Sequence, residues 1–430
     1  MNIRKLALDM MLDYEISGKY VNLSLSSHML DKLTDSERGQ LTSLLYTAVE
    51  HKITYDYLIA SLSGRSIEDV DDYTRALLRL GLCQIIHINS VPDFAATNET
   101  VKLARNPGER SFVNGVLRSA VRNKENLPIP NKGKNYRRYL SVKYSFPLWI
   151  VKHFALLFGD EGCERILEFY NTEKYTDISV NLTKCDGSSL KEKYGAYSVI
   201  NNGLSLRIDG SINPEKAAGF AQGDFFVQDT ASATAVSVLE PRAGDRLIDV
   251  CSAPGGKSFA AAVLMENKGE IYSFDLHESK LTLIESGAKR LGLDIINVAM
   301  RDATCPDETL IGTADKVICD VPCSGLGVLG KKPDLRYKDE ANVKELPPLQ
   351  LKILRESAKY LKIGGELLYS TCTLNPDENE NVVKAFIEEN PSFELVDFKA
   401  GGLSSDGGML TLLPHVHKTD GFFMAKLKRK

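Results

Sequence analysis

Apolar residues recur at three- and four-residue spacing through the first part of the chain. Arg75–Ile86 shows this spacing clearly, and Phe112–Arg118 forms another apolar face. Such spacing is typical of amphipathic helices, and no alternating strand pattern interrupts it. The sequence therefore predicts an all-helical bundle over residues 1–125.

The pattern then changes twice. Leu127–Lys134 is rich in proline, glycine and charge, which predicts a linker over residues 126–146. Helical spacing returns at Leu148–Leu157 and Glu161–Tyr170 and is followed by short alternating segments. These segments predict strands near residues 178–182, 197–200 and 205–208. A small α+β domain is expected over residues 147–220.

Strands and helices alternate after residue 220, which is typical of a doubly wound parallel sheet over residues 221–430. The predicted strands are Arg246–Val250, Glu270–Phe274, Ile295–Val298, Ala314–Ile318 and Glu366–Tyr369. The glycine-rich end, Gly401–Lys430, alternates like an antiparallel hairpin.

Composition narrows the class of protein. A chain of 430 residues favours two or three domains, and 43% hydrophobic with 26% charged residues is typical of a globular protein. No run approaches the roughly 18 apolar residues of a membrane span, and Met1–Lys5 does not lead into a signal-peptide core. A cytoplasmic location is expected. The eight cysteines show no C-x-x-C spacing, so reduced thiols and no bound metal are expected.

Charge is uneven although the net charge is only −4. Residues 126–150 hold five cations and no acid, with tyrosine, phenylalanine and tryptophan interleaved. Cations suit phosphates and aromatic rings suit bases, so this stretch is a candidate RNA contact. The candidate residues are Lys132, Lys134, Arg137 and Arg138. The alternative is a solvated linker whose aromatic side chains pack on the next domain.

Asp249–Ser258 has the pattern of a strand, a glycine turn and a helix. It matches neither the dinucleotide fingerprint nor a phosphate-binding Walker loop. Three more predicted strands end in aspartate: Asp275 could accept both hydroxyls of a ribose, Asp302 could accept an amine, and Asp320 follows them. One such aspartate could be a helix cap, but four at successive strand ends indicate a nucleotide-type cofactor.

Two cysteines lie in tight turns that follow apolar runs. Cys323 belongs to Cys319–Gly325, and Cys372 belongs to Tyr369–Thr373. Both thiols should lie at the carboxyl edge of one sheet, where open α/β sheets place their chemistry. A cofactor site with two thiols at that edge predicts covalent catalysis.

These motifs resemble the S-adenosylmethionine-dependent methyltransferases. Asp249–Ser258 together with Pro322-Cys323 and Thr371-Cys372 looks like the RNA 5-methylcytosine branch. Arg75–Gln84, Asn98–Arg105 and Phe112–Arg118 look like a NusB-like, antitermination-factor-type RNA-binding domain. The whole chain is similar to the bacterial 16S rRNA (cytosine-5)-methyltransferase family of the Sun/RsmB type.

The resemblance implies a NusB-like bundle, a ferredoxin- or RRM-like middle domain and a Rossmann-like class I methyltransferase domain. It implies that S-adenosyl-L-methionine methylates C5 of a cytosine in 16S rRNA. Monomeric action is expected, although no feature of the sequence reports the oligomeric state. The implied cofactor-binding residues are Cys251, Ser252, Ala253, Pro254, Gly255, Gly256, Lys257, Asp275, Asp302 and Asp320. By the same resemblance Cys372 is the nucleophile, Cys323 assists release and Asp320 contacts N3.

The chemistry explains the need for two thiols. Thiolate addition to C6 of cytosine activates C5, and protonation of N3 makes that addition easier. Asp320 would have to be protonated to donate, so burial is expected to raise its pKa. The other cysteines are expected to pack or to lie at the surface. Three alternatives stay open: the same chemistry on tRNA, a DNA cytosine methyltransferase, and a non-catalytic RNA-binding assembly factor.

Overall fold

A computed structural model describes residues 2–17, 33–172 and 174–430 of the chain. The chain divides into two compact units. The first comprises Met1–Asn171 with Lys331–Lys338, and the second comprises Thr172–Gly330 with Asp339–Lys430. Each unit has its own hydrophobic core.

The described part of the first unit is helical, as predicted. Its main helices are α1 Ile3–Ser17, α2 Asp35–Glu50, α3 Lys52–Ser63, α4 Asp72–His87, α5 Asp93–Val101, α6 Pro107–Arg122, α7 Tyr136–Tyr144 and α8 Leu148–Thr172. Polar side chains start several of them: Thr34 forms a capping box on α2, and Asn106 caps α6 ahead of Pro107. Residues 18–32 of the predicted bundle lie outside the described part.

The segment predicted as a linker contains helix α7. Leu140 and Tyr144 of α7 are buried, and the Tyr144 hydroxyl donates to Glu164 of α8 over 3.1 Å. The Tyr136 hydroxyl donates to the same carboxylate. The aromatic side chains therefore pack on the following helix, so the first unit extends to Asn171 rather than ending near residue 125. Helix α8 breaks at Gly159, where φ is +72°, in agreement with the two helices expected there.

A short distant segment, Lys331–Lys338, completes the first unit. Arg336 is fully buried and donates to the Glu50 carbonyl over 3.2 Å and to Asn171 over 2.9 Å. Its guanidinium also lies 3.9 Å from the centre of the Phe146 ring. A buried guanidinium is tolerated when its N–H groups donate hydrogen bonds to carbonyl and side-chain oxygens. Here residues far apart in the sequence provide these acceptor oxygens.

The second unit begins with a three-stranded antiparallel sheet. Strands β1 Tyr175–Val180, β2 Ser205–Asp209 and β3 Phe225–Val227 take the order β2-β1-β3, with helix α9 Ser188–Tyr194 between β1 and β2. The buried Arg207 pairs with Asp177 across β1 and β2 over 2.7 Å. The expected strand near residues 197–200 is reduced to one bridge between Tyr197 and Arg207.

The larger sheet follows the predicted parallel pattern. The elements that follow β3 along the chain are α10 Thr230–Leu239, β4 Arg246–Asp249, α11 Gly256–Leu264, β5 Glu270–Asp275, α12 Glu278–Leu291, β6 Ile296–Met300, β7 Ala314–Asp320, α13 Glu340–Lys344, α14 Leu346–Ala358, β8 Leu361–Thr371, α15 Glu380–Glu389, β9 Phe393–Leu395, β10 Lys399–Ala400, β11 Leu403–Ser404, β12 Met409–Leu412, α16 Pro414–His417 and β13 Phe422–Arg429. In the larger sheet the order is β12-β13-β8-β7-β4-β5-β6, and β9 also pairs with β13. Strands β10 and β11 pair with each other in a separate two-stranded sheet.

Strands β8, β7, β4, β5 and β6 are parallel, and β13 enters antiparallel beside β8. Neighbouring residues of β4 point to opposite faces: Leu247 joins one core cluster and Ile248 the other. The chain passes from β4 outward through β5 and β6 and then returns to β7 on the other side of β4. The direction of winding reverses between β4 and β7, where α/β sheets open a binding crevice.

Candidate active site

The carboxyl ends of the five parallel strands lie in order along one edge of the sheet. The residues that end or follow them are Cys372 after β8, Asp320 on β7, Asp249 on β4, Asp275 on β5 and Asp302 after β6. Adjacent strands are about 4.8 Å apart, so the predicted residues form a row rather than a single cluster. The thiols lie at one end of the row, and Asp275 and Asp302 lie at the other.

The two candidate thiols meet at the β7–β8 end of the row. The Sγ atoms of Cys323 and Cys372 are 2.9 Å apart, and both side chains are half-buried. The contact with Cys372 and burial raise the pKa of Cys323 well above its usual range. Cys323 is therefore a protonated thiol at neutral pH.

Lys257 and Asp320 form an ion pair beside the cysteines. The Lys257 ammonium donates to Asp320 over 2.7 Å, and the Ser370 hydroxyl donates to the other Asp320 oxygen over 2.7 Å. Burial disfavours the charge of Lys257, but the carboxylates of Asp320 and Asp249 outweigh it and raise the pKa of Lys257. The ammonium also interacts electrostatically with Cys372, so a fixed positive charge adjoins the thiol pair.

The surroundings of Asp320 differ from those expected from the sequence. A buried, protonated carboxyl was predicted, but 28% of the Asp320 side chain is exposed and it is paired with Lys257. The sequence-based expectation considered burial alone, whereas tertiary packing brings a cation from the start of α11.

The loop from Cys251 to Lys257 joins β4 to α11 and forms the floor of the cofactor side. The Ser252 N–H donates to the Phe274 carbonyl over 2.7 Å, and the Ala253 N–H donates to Asp275 over 3.2 Å. Gly255 has a φ of +110°, which requires glycine, and no side chain caps the start of α11. The loop is thus fixed to β5 while the first N–H groups of α11 stay available for an anionic group.

Asp249 supports this loop from below. It is fully buried, the Ser258 hydroxyl donates to Oδ2 over 2.7 Å, and Oδ1 has no hydrogen-bond partner. Burial raises the pKa of Asp249 to about 7, although the bond from Ser258 acts in the opposite direction. The buried carboxyl of Asp249 therefore changes its protonation state near neutral pH.

Asp302 lies beyond β6 and is exposed. The backbone N–H and hydroxyl of Thr304 both donate to its Oδ1 over 2.8 Å, which lowers the pKa of Asp302. Asp302 is therefore an ionised acceptor that forms a turn at the outer end of the row.

These residues fit S-adenosylmethionine. The uncapped start of α11 suits the carboxylate of its methionine part, Asp275 suits a ribose, and Asp302 suits an amine. Gly255 and Gly256 have no side chain that would enter the turn between β4 and α11. Among the described residues, no three His, Cys, Asp or Glu side chains come together as metal ligands, and the absence of a metal stays a prediction.

Sequence reasoning missed Glu378, which links the two cysteine loops. This buried carboxylate accepts from the Ser324 N–H over 2.8 Å, next to Cys323, and from the Asn375 amide over 3.1 Å, just beyond Cys372. Gln350 donates to it over 3.0 Å and also holds the Pro322 carbonyl. The signal was the polar run Asn375–Asn381, which is unusual so close after a buried strand.

A glycine pair also fixes the spacing of the loops. The Gly327 N–H donates to the Cys372 carbonyl over 2.9 Å, and the Gly421 N–H donates to the Gly327 carbonyl over 2.8 Å. A Cβ at position 327 would lie 1.8 Å from the Gly421 oxygen, so only glycine fits. The loop after Cys323 is thereby attached to both the Cys372 loop and the start of β13.

Two further cysteines adjoin this edge: Cys251 begins the loop to α11, and Cys319 precedes Asp320 on β7. All eight cysteines are free; Cys83, Cys163 and Cys319 are buried, Cys185 and Cys251 are half-buried, and Cys305 is exposed. The candidate RNA-contacting cations belong to the first unit, where Arg137 pairs with Asp160 over 3.1 Å and Lys132 lies 5.1 Å from the centre of the Tyr136 ring. Lys134 and Arg138 are exposed.

The sheet order with its antiparallel β13 and the row of polar strand ends define an S-adenosylmethionine-dependent class I methyltransferase. Residues 236–428 match the family described as 16S rRNA methyltransferase RsmB/F, and residues 1–122 match the NusB family. The chain belongs to the RsmB/F family of 16S rRNA methyltransferases, as the sequence motifs predicted.

Similarity extends over the full chain. A Bacillus subtilis protein described as "probable ribosomal RNA small subunit methyltransferase B" is 36% identical over 446 residues, which cover 100% of this chain and 99% of that protein. The crystal structure of PH0851 has a TM-score of 0.79 and 29% identity and covers 99% of this chain and 98% of that one. NSun6 from Pyrococcus horikoshii, solved with the S-adenosylmethionine analogue SFG, has a TM-score of 0.60 and 24% identity, covering 66% of this chain and 99% of that one.

None of the described helices is long and apolar enough to cross a membrane.

Proposed function

We propose that this protein methylates C5 of a cytosine in 16S rRNA through a covalent bond between Cys372 and C6. The observation that supports this most directly is the thiol pair, 2.9 Å apart at the sheet edge, beside the Lys257–Asp320 ion pair. S-adenosylmethionine supplies an electrophilic methyl group. The residues of this chain make cytosine reactive toward it.

Cys372 acts as the nucleophile. Its thiolate adds to C6, the C5=C6 electrons become available at C5, and negative charge develops toward N3. Asp320 is the group that contacts N3, to which it donates a hydrogen bond when it carries a proton, and the adjoining ammonium of Lys257 compensates the charge that builds up there. This arrangement lowers the barrier to addition and lets C5 accept the methyl group.

Cys323 assists release. After methylation the C5 proton passes to a water molecule, its electron pair restores the C5=C6 bond, and the sulfur of Cys372 departs from C6. Cys323 keeps its proton at neutral pH because its pKa is raised, and it lies 2.9 Å from that sulfur. It is therefore positioned to donate a proton to the departing thiolate.

A non-catalytic assembly factor would not need this arrangement. Two thiols, an ion pair and a fixed glycine loop at one edge favour catalysis over binding alone. Membership of a family of 16S rRNA methyltransferases supports 16S rRNA as the substrate, and tRNA remains the alternative. Monomeric action, a cytoplasmic location and RNA contacts by Lys132, Lys134, Arg137 and Arg138 stay predictions.

Bisulfite mapping tests the proposal. RNA from cells with and without the protein is compared, and one cytosine in 16S rRNA is expected to lose its protection when the protein is absent. If a cytosine loses its protection only in a tRNA, the substrate is tRNA rather than 16S rRNA. No change in either RNA, together with no methyl transfer by the purified protein, would favour the assembly factor.

A further inference from the structure

The helical hairpin of α5 and α6 carries unpaired positive charge. Residues 93–124 contain six cations and three carboxylates. Each carboxylate is paired: Asp93 with Lys124 over 2.8 Å, Glu99 with Lys102 over 2.6 Å and Glu109 with Arg105 over 2.8 Å. The three remaining cations are Arg110, Arg118 and Arg122.

These three arginines form a row along α6 that winds partly around the helix. All are exposed, and no described residue forms an ion pair or a side-chain hydrogen bond with their guanidinium groups. Arg118 and Arg122 are four residues apart and lie on the same side of the helix, whereas Arg110 is turned about 80° from Arg118. The rise of 1.5 Å per residue places Arg118 about 6 Å from Arg122 and about 12 Å from Arg110 along the axis. Cations spread over this length suit a linear polyanion better than a single small anion.

The exposed glycine Gly115 is a second observation that favours a ligand on this side of α6. It lies exposed in the middle of α6 between Arg110 and Arg118, and a Cβ there would meet no atom within 4 Å. Glycine inside a helix costs about 1 kcal/mol relative to alanine. No described neighbour requires this glycine, whereas a backbone that lies against the helix would.

The start of α5, which carries an exposed aromatic side chain, is tied to the end of α6. The Phe94 side chain on α5 is 71% exposed. Its neighbour Asp93 pairs with Lys124, two residues beyond Arg122, which holds the start of α5 next to the end of α6. An exposed ring beside a row of cations is the combination that binds single-stranded nucleic acid, because bases stack on aromatic faces.

We infer that the face formed by Arg110, Arg118, Arg122, Gly115 and Phe94, here called the arginine face, binds the phosphate backbone of the RNA substrate. This inference rests on the proposed function and names the surface that recruits its substrate. It differs from the segment Lys132–Arg138 suggested by the sequence, where Arg137 and Lys132 already contact other residues of the unit.

The test uses the full-length protein and a 16S rRNA transcript. The variant Arg110→Gln/Arg118→Gln/Arg122→Gln is expected to bind at least about 10-fold more weakly, and the slope of log Kd against log salt should fall by about 2 to 3. KM for RNA should rise while kcat at saturating RNA stays the same. Phe94→Ala should weaken binding without changing the salt slope.

Lys102→Gln is the matched control for Arg118→Gln. Both remove one exposed cation from the hairpin, but Lys102 is already paired with Glu99. Arg118→Gln should lower the salt slope by about 1, and Lys102→Gln should change it much less. Equal effects of the two variants, or an unchanged Kd in the triple variant, would overturn the inference even if the wild type methylates the transcript. A wild type that binds the transcript but never methylates cytosine would instead reject the proposed function.

Discussion

The sheet edge and the arginine face place charge in opposite ways. At the sheet edge Lys257 is paired with Asp320, and Glu378 accepts hydrogen bonds from both cysteine loops. On the arginine face the guanidinium groups have no partner among the described residues. Chemistry requires groups held at fixed distances, whereas binding a polyanion requires cations free to exchange water for phosphate. In our proposals, this difference separates the part of the protein that reacts with the cytosine from the part that binds the RNA backbone.

The largest effect is expected at the nucleophile. Cys372→Ala should lower methyl transfer at least about 1,000-fold and abolish covalent capture of RNA, because no other described thiol lies at the same strand end. Transfer of a labelled methyl group to RNA measures this. Cys185→Ala, which removes a half-buried thiol elsewhere in the same unit, should keep full activity. Normal turnover by the Cys372→Ala variant would show that Cys372 is not the nucleophile.

The second cysteine should give a different defect. Cys323→Ala leaves Cys372 able to attack but removes the proton donor 2.9 Å away, so release should slow and a protein–RNA adduct should accumulate. Denaturing gels with labelled RNA would show it. If the variant turns over without an adduct, Cys323 has no part in release.

Loss of the link between the cysteine loops should have a smaller effect. Glu378→Gln replaces one acceptor with a donor that faces the Ser324 N–H and Gln350, which leaves buried donors unpaired. We expect kcat to fall about 10- to 100-fold while KM for S-adenosylmethionine changes little.

A geometric readout distinguishes positioning from general damage in this variant. Diamide oxidation should join Cys323 and Cys372 readily in the wild type, because the sulfur atoms are 2.9 Å apart, and more slowly in Glu378→Gln. Thermal unfolding of the same variant serves as the control. A lower melting temperature with unchanged oxidation and kcat would assign Glu378 to stability alone.

Asp249 should make the sheet unit sensitive to pH. Its pKa is about 7 in the folded state against 3.8 ordinarily, so the folded state holds the proton more tightly. Its contribution to the free energy of unfolding therefore falls as pH rises from about 4 to 7, by about 4 kcal/mol, and is constant outside that window. Urea unfolding at several pH values should show this fall in the wild type relative to Asp249→Asn. A difference between them that does not change with pH would contradict it.

The smallest loss of RNA binding is expected from the segment Lys132–Arg138, which the sequence pattern suggested as an RNA contact. Replacing Lys132, Lys134, Arg137 and Arg138 by glutamine should weaken RNA binding only about two- to threefold, because Arg137 is paired with Asp160 and Lys132 lies over Tyr136. A loss as large as that of the triple arginine variant would reverse the comparison between the two surfaces.

Local patterns predicted much of the fold. The helices of the first unit and the parallel strands were visible because apolar spacing reflects which face is buried. Helix α7 was missed because proline and glycine in Leu127–Lys134 masked the spacing of Leu140 and Tyr144. The segment Lys331–Lys338 could not be assigned to the helical unit, because the acceptors of Arg336 lie more than 150 residues away.

The sequence by itself determined the chemical inventory: two thiols, a glycine turn and aspartates at successive strand ends, together with the family they indicate. These features are local, since a strand followed by a turn carries its own pattern. Only the tertiary structure decided the pairings. It placed Cys323 against Cys372, Lys257 on Asp320 and Glu378 between the cysteine loops, and among the described residues it left the exposed arginines of α6 without partners. Pairing depends on which distant segments meet, and that is settled by packing and burial of the whole chain.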